Sequence, residues 1–242
     1  MSSRSRPDLV AGVVGWVDFE QPDAAERIAG LAGHPRLVGL RPMLQDLPDP
    51  AWIRKPFADR ALTAMAQARL TFDALIRPAH LPAMLDLIES HPELTVVIDH
   101  AAKPVISSTR DRDAWINGLA ALATHASVYC KLSGLWNEAA PGRRLSELEP
   151  WATHVLDMFG VQRTIWSSDW PVVRCAGSGR AWFEFALDLI ASHGEDAVRQ
   201  VLGANARRAY RLAPASNAIE TDVSPYRRKR QETLHASATN QR

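Results

Sequence analysis

Cysteine is scarce in this chain of 242 residues, which contains only two. Cys130 and Cys175 match no zinc or redox spacing and do not lie in a disulfide-rich segment. Long apolar runs are also absent, because Gly12 and Gly15 interrupt the apolar stretch that follows the charged N-terminal residues. We therefore predict no signal peptide, no membrane span and a reducing, cytoplasmic location.

An excess of one charge is missing as well. The 28 lysines and arginines nearly balance the 27 aspartates and glutamates, so nothing indicates nucleic acid or a membrane as partner. No G-x-G-x-x-G or G-x-x-x-x-G-K pattern follows a predicted strand, which argues against a doubly wound nucleotide-binding sheet. The composition, 46% hydrophobic and 23% charged, is that of an ordinary globular protein.

Short apolar segments that are rich in β-branched and aromatic residues predict strands over residues 10–17, 37–43, 71–76, 95–100, 127–132 and 164–169. Helical periodicity appears between and after them, over residues 23–31, 58–68, 81–89, 113–124, 148–159 and 180–191, with a closing helix over 195–212 that is interrupted near Gly203. This alternation is typical of βαβ units and a parallel sheet. We expect one TIM-type (β/α) barrel domain over residues 9–212.

The C-terminal residues 213–242 contain few large apolar side chains and include the basic cluster 227–230. Such a segment cannot bury enough apolar surface to order itself. We expect a disordered basic tail, either simply solvated or acting as a handle for an anionic partner.

Charged residues follow every predicted strand, and a barrel builds its active site at the carboxyl ends of its strands. His100 is the only histidine that ends a predicted strand, and Asp169 ends the last strand. We interpret these two residues as the catalytic pair. Residues at or near other strand ends are the substrate-binding candidates: Arg41, Asp73, His80, Lys103 and Trp170.

Structural roles remain open for several of these residues. His100 could be a hydrogen-bonded core histidine, and Asp169 a helix N-cap or turn residue. Arg41 could merely neutralise a neighbouring aspartate. His80 suits helix capping as well as substrate contact.

The chemistry of this set suits attack of water on a carbonyl group. Asp169 can take a proton from water, while His100, Arg41 and Lys103 offer donors or positive charge to the developing oxyanion. This arrangement favours hydrolysis of an ester or lactone. One divalent metal, zinc or a similar ion, could instead bind His100 and Asp169 and acidify the water, so the cofactor is either one metal or none. A third possibility is that Lys131 forms a Schiff base, as in aldolases.

Seven ordered segments carry a resemblance to a known family: 13–19, 39–46, 72–78, 98–104 (Ile-Asp-His-Ala-Ala-Lys-Pro), 128–134, 166–171 (Trp-Ser-Ser-Asp-Trp-Pro) and 205–211. On these segments the chain resembles the amidohydrolase superfamily (amidohydrolase-related family 2), in the sugar-lactone hydrolase group of the L-fuconolactonases and L-rhamnonolactonases. The resemblance implies a TIM barrel in which His100 and Asp169 follow the sixth and eighth strands. It also implies that Asp169 activates water against a small-molecule sugar-acid lactone of carbohydrate catabolism, that Arg41 contacts the substrate, and that metal dependence varies among members.

The same family opens with an Asp-x-His-x-His strand and a second strand, and the sequence contains neither. We therefore expect a barrel that lacks its first two strands and leaves two edges unpaired, either a fragment or a gene product begun too far downstream. The alternatives to a lactonase are another amidohydrolase-type hydrolase or decarboxylase, and an inactive truncated relative.

Overall fold

The computed structural model of the protein describes residues 10–108 and 111–212. Within these ranges the strands are β1 (Val13–Gly15), β2 (Leu37–Leu40), β3 (Thr71–Ala74), β4 (Val96–Ile98), β5 (Val128–Leu132) and β6 (Thr164–Trp166). Each overlaps one predicted strand. The predicted basic tail lies outside the described residues.

Helices alternate with these strands: α1 (Ala24–Ala32), α2 (Pro56–Gln67), α3 (Leu81–Ser90), α4 (Arg112–Ala123), α5 (Leu135–Glu138), α6 (Glu149–Arg163), α7 (Gly179–Ala191), α8 (Glu195–Arg199) and α9 (Asn205–Ala209). The predicted closing helix is interrupted by a π-helical turn at Gln200–Ala204, which contains Gly203. Sequence periodicity did not predict the short α5. No helix in the described ranges is both long and apolar enough to cross a bilayer.

The strands form one parallel sheet in chain order, β1-β2-β3-β4-β5-β6. Each strand pairs with the next, as in the register Phe72 with Val96 and Val96 with Val128. Among the described residues, β1 pairs only with β2 and β6 only with β5, so these two strands are the sheet edges. The structure therefore confirms the predicted β/α succession of a TIM-type barrel, with six strands.

The helices cover the outer face of the sheet because each presents an apolar stripe to it. One buried residue from each larger helix illustrates this layer: Ile28, Leu62, Met84, Leu119, Val155 and Ile190. Burial of such side chains contributes about 1.5–3 kcal/mol each relative to exposure. This outer layer thus contributes to the hydrophobic stabilisation of the fold.

The inner face of the sheet is covered by the C-terminal segment. Ala209 and Tyr210 form a core cluster with Val97 of β4 and Ile165 of β6, and further strand side chains pack against it. The Thr71 hydroxyl donates to the Ala209 carbonyl over 2.6 Å. Thr71 begins β3, so this segment covers the amino end of the sheet, opposite to the predicted site.

Gly39 of β2 is a position where the fold requires the absence of a side chain. A Cβ there would lie 2.5 Å from the Thr71 carbonyl oxygen, which belongs to the neighbouring strand backbone. Gly39→Ala should therefore lower the free energy of unfolding by about 1–3 kcal/mol, as overpacking does. Chemical denaturation measures this loss.

The matched control is Gly30→Ala in α1, where nothing lies within 4 Å of the added Cβ. Alanine is favoured over glycine inside a helix by roughly 0.5–1 kcal/mol, so this variant should be slightly more stable. Equal stability of the two variants would contradict the predicted strand contact.

Candidate active site

His100 lies beyond β4, not at its end as predicted. β4 ends at Ile98, and the chain then turns through residues with positive φ: His100 (52°), Ala101 (51°), Ala102 (57°) and Lys103 (51°). This left-handed conformation is costly for residues that carry a Cβ, and such strain is concentrated at functional sites. The side chain of His100 therefore has an orientation that a continuation of the regular strand would not give it.

Surrounding contacts hold this turn in place. The buried indole of Trp115 donates to the Ala101 carbonyl over 2.7 Å, and the Lys103 amide donates to the His100 carbonyl over 2.8 Å. Gly134, which has a φ of 70°, lies directly against His100, because a Cβ there would be 2.8 Å from the imidazole Cγ. Glycine is needed at this position both for its backbone conformation and for the close approach of the ring.

Asp169 also lies beyond its strand, because β6 ends at Trp166. Its φ is 54°, so the second predicted catalytic residue has the same strained conformation as the first. Asp169 Oδ1 lies 3.5 Å from His100 Nε2, and Asp169 Oδ2 accepts a 2.8 Å hydrogen bond from the Asn137 amide. The structure thus places the two residues of the predicted pair side by side.

The imidazole of His100 has a preferred tautomer in this geometry. Nδ1 lies 2.8 Å from the Ser133 hydroxyl oxygen, while Nε2 faces the Asp169 carboxylate, which can only accept. We assign the proton to Nε2, with Ser133 donating to Nδ1. Burial lowers the pKa of His100, although the nearby carboxylates of Asp99 and Asp169 oppose the shift, and the neutral form is therefore favoured near pH 7.

Beneath this pair lies a buried charge cluster, formed by Lys131, Asp73, Asp99 and Tyr210. The Lys131 ammonium is 2.7 Å from Asp73 Oδ2 and 2.7 Å from Asp99 Oδ1, and the Tyr210 hydroxyl donates to Asp73 Oδ1 over 2.7 Å. Burial alone would lower the pKa of Lys131, but the two carboxylates hold it well above its ordinary value. Lys131 is therefore a permanent cation.

The two carboxylates of the cluster differ in their pKa. Burial, followed by the charge of Asp99, raises the pKa of Asp73 to about 6. Burial also opposes ionisation of Asp99, but Lys131, His100 and Arg41 together hold its pKa below the ordinary value. Since one ammonium is shared by two carboxylates, Asp73 is the member that takes up a proton first.

Arg41 and Lys103, two of the predicted substrate-binding residues, each contact one carboxylate. Arg41 approaches Asp99 with one nitrogen, at 3.4 Å, and its side chain remains 42% exposed. Lys103 lies 3.2 Å from Glu138, which also faces Arg77 at 3.9 Å. Arg41 is therefore more available to a substrate than Lys103, whose charge is partly neutralised.

The remaining predicted substrate-binding residues have different surroundings. Both ring nitrogens of the buried His80 meet backbone groups, at Leu44 and Arg77, which favours the structural role over substrate contact. Asp73 is buried within the charge cluster. Trp170 follows Asp169 and is 71% exposed, so its indole is free to contact a ligand.

Lys131 does not suit the alternative Schiff-base chemistry. A Schiff-base lysine must be neutral to attack a carbonyl, and such lysines have lowered pKa values. Lys131 has the opposite shift, because it is held between two carboxylates. The geometry disfavours an aldolase.

The described residues do not by themselves fit a metal centre. No group of three or more histidine, cysteine, aspartate or glutamate side chains in the described ranges could hold an ion together. His100 and Asp169 are two donors, whereas catalytic zinc sites use about three protein ligands. His100 and Asp169 alone therefore do not complete such a site.

Sequence reasoning missed two residues of the site, Asn137 and Glu138. Both lie in α5, immediately after β5, and they contact Asp169 and Lys103 respectively. Glycine directly after a strand, here Gly134, was the available signal of a turn at the carboxyl edge.

This geometry, a parallel β/α fold with an aspartate and a neutral imidazole beyond the carboxyl ends of its strands, fits the class of barrel hydrolases. The sequence pattern of the family described as Amidohydrolase matches residues 2–212. The chain is 48% identical over 214 residues to an L-fucono-1,5-lactonase of Burkholderia ambifaria. The aligned region covers 86% of this chain and 73% of that protein. The chain belongs to the amidohydrolase family and is a hydrolase.

One solved structure and a further relative agree with this assignment. A crystal structure of an amidohydrolase from Burkholderia multivorans with bound zinc has a TM-score of 0.77 and 33% identity, covering 84% of this chain and 74% of that one. An L-rhamnono-gamma-lactonase of Scheffersomyces stipitis is 30% identical over 147 residues, covering 53% of this chain and 44% of that protein. The likeness to a lactone hydrolase group that the sequence predicted is confirmed.

The raised pKa of Asp73 predicts a pH dependence of stability. Its ordinary pKa is 3.8 and its pKa in the folded protein is about 6, so the folded state binds the proton more tightly. The resulting stabilisation is present below pH 4 and is lost as the pH rises through 6, by about 2–3 kcal/mol. Asp73→Asn removes this contribution.

The free energy of unfolding of the wild type, minus that of Asp73→Asn, should therefore fall between pH 4 and pH 7. Urea denaturation at several pH values measures the difference. Asp157→Asn, at an exposed position of α6, is the matched control for the loss of one carboxylate away from the charge cluster. A pH-independent difference for Asp73→Asn would mean that Asp73 is not the residue that titrates.

Proposed function

We propose that the protein hydrolyses a sugar-acid lactone, with Asp169 as the base that activates water. The observation that carries the proposal is the approach of Asp169 to the neutral His100, at 3.5 Å beyond the strand ends, with the partly exposed Arg41 in contact with Asp99, the residue before His100. The similarity to an L-fucono-1,5-lactonase supports the substrate class.

The first step needs a base that is ionised near neutral pH. The Asp169 side chain is 87% buried, and its Oδ2 atom accepts a hydrogen bond from the Asn137 amide, so the carboxylate is held beside His100. A water molecule beside Asp169 gives its proton to the carboxylate while its oxygen attacks the lactone carbonyl carbon. A tetrahedral intermediate with one negatively charged oxygen results.

That oxyanion needs donors that are already in place. Among the described residues a single nitrogen of Arg41 contacts Asp99, so the other N–H groups of Arg41 are available to the oxyanion, while His100 keeps its Nε2–H toward Asp169. Preorganised donors of this kind stabilise the transition state more than the ground state, because the charge develops only as the bond forms. Lys103 adds positive charge at longer range.

Collapse of the intermediate breaks the bond between the carbonyl carbon and the ring oxygen. The ring oxygen takes the proton from Asp169 and becomes a hydroxyl group, and the product is the open-chain hydroxy acid. At neutral pH this acid releases a proton to solution. One lactone and one water are consumed for each hydroxy acid formed, and the Asp169 carboxylate is regenerated.

The proposal requires Asp169 to act as base. Asp169→Asn keeps the shape of the side chain but cannot accept the proton, so kcat should fall by about 10²–10⁴-fold. Titration of released acid at constant pH, with L-fucono-1,5-lactone and L-rhamnono-1,4-lactone, measures the rate after subtraction of spontaneous hydrolysis. Circular dichroism verifies that the variant is folded.

Asp188→Asn in α7 is a matched substitution away from the site and should leave kcat unchanged. Retention of full activity by Asp169→Asn would overturn the assignment of the base. Absence of turnover by the wild type on any lactone would overturn the proposed function itself and would favour the inactive relative.

A further inference from the structure

The two oxygens of Asp169 have different surroundings, and Asn137 creates the difference. The Asn137 Nδ2 group donates to Oδ2 over 2.8 Å, whereas Oδ1 lies 3.5 Å from His100 Nε2. A carboxylate can rotate about its Cβ–Cγ bond and exchange its oxygens. A donor fixed on Oδ2 opposes that rotation, so Oδ1 is the oxygen that remains beside the imidazole.

The fold fixes Asn137 through its neighbour Trp136. The Trp136 indole donates to the Arg143 carbonyl over 3.1 Å, and its ring lies directly over Gly177. A Cβ on Gly177 would be 2.1 Å from that ring, so the indole occupies the space that a side chain would need. Gly134, packed against His100, begins the same segment. The α5 segment that carries Asn137 is thus held by the contacts of Trp136 and Gly134.

Asn137 also has a feature that is unfavourable for the stability of the fold. Its Oδ1 atom is buried and has no hydrogen-bond partner among the described residues. A buried acceptor without a partner destabilises the folded state, and an apolar side chain of similar size would avoid the penalty. Groups that are unfavourable for stability are expected where function requires them.

We propose that Asn137 is a positioning residue that holds Asp169 by Oδ2, so that Oδ1 takes the proton from water. This inference rests on the proposed function, in which Asp169 is the base. Asn137 acts through Asp169 and touches neither the water nor the lactone in this arrangement.

Asn137→Leu tests the proposal, because leucine has the same branching and number of side-chain heavy atoms and no donor. The Asp169 carboxylate then rotates freely, and kcat should fall by about 10- to 100-fold, as loss of alignment does, while KM stays unchanged. Asn137→Asp, which replaces the donor by a second acceptor, should lower kcat at least as much. Wild-type kcat in either variant, or a raised KM without a fall in kcat, would overturn the proposal.

A double-mutant cycle separates positioning from a general structural effect. If Asn137 works through Asp169, Asn137→Leu should cause no further loss of kcat in an Asp169→Asn background. A structural role predicts the same loss in both backgrounds, and that result would overturn the inference. Asn117→Leu, at an exposed position of α4, is the matched control and should keep the wild-type rate.

Thermal unfolding supplies the second measurement. Asn137→Leu leaves Asp169 Oδ2 without its donor but also removes an unpartnered buried oxygen. Because these two effects oppose each other, the unfolding temperature should not fall by more than about 3 °C. A larger fall together with lost activity would assign Asn137 to the fold and overturn the proposal. Turnover by the wild type and by Asn117→Leu shows that the proposed function holds, whatever the result at Asn137.

Discussion

One buried ammonium group, that of Lys131, sets the geometry on which the site depends. It lies between the carboxylates of Asp73 and Asp99, so it joins β3, the end of β4 and β5 through two contacts of 2.7 Å. Losing one partner of such a group leaves uncompensated buried charge and typically costs about 3–5 kcal/mol. Because Asp99 directly precedes His100, the lysine also fixes the point from which the left-handed turn begins.

The left-handed turn after Asp99 lowers the stability of the fold, but it fixes the orientation of the His100 side chain. His100, Ala101, Ala102 and Lys103 all have positive φ, at about 1–2 kcal/mol each for residues with a Cβ. Strain of this size persists only where surrounding contacts leave no alternative. Here the Trp115 indole holds the Ala101 carbonyl, and the buried Asp99 anchors the preceding residue. Asp169 has the same kind of strained backbone, and the hydrogen bond from Asn137 helps to hold its side chain in place.

The fold could be predicted from the sequence much further than the site. The strand–helix alternation follows from local apolar periodicity, and His100 and Asp169 could be found because polar residues follow each strand. Asn137 could not be found this way, since the four-residue α5 is too short to show periodicity. The contact between Tyr210 and Asp73 could not be predicted from local sequence either, because the two residues are far apart in the chain. Strand ends were predicted too far along the chain, because His100 and Asp169 adopt left-handed turns that apolar patterning does not encode.

The hydrogen bond from Tyr210 to Asp73 connects the C-terminal segment of the described residues to the buried charge cluster beneath His100. Tyr210 belongs to the core cluster on the inner face of the sheet, and its hydroxyl reaches Asp73 within the charge cluster. By occupying Asp73 Oδ1, this hydroxyl leaves Oδ2 for Lys131, and Lys131 in turn faces Asp99. A displacement of the C-terminal segment would therefore change the contacts among Asp73, Lys131 and Asp99. It would do so without direct contact with His100 or Asp169. The last described residues are thus part of the support of the site, although they lie on its opposite side.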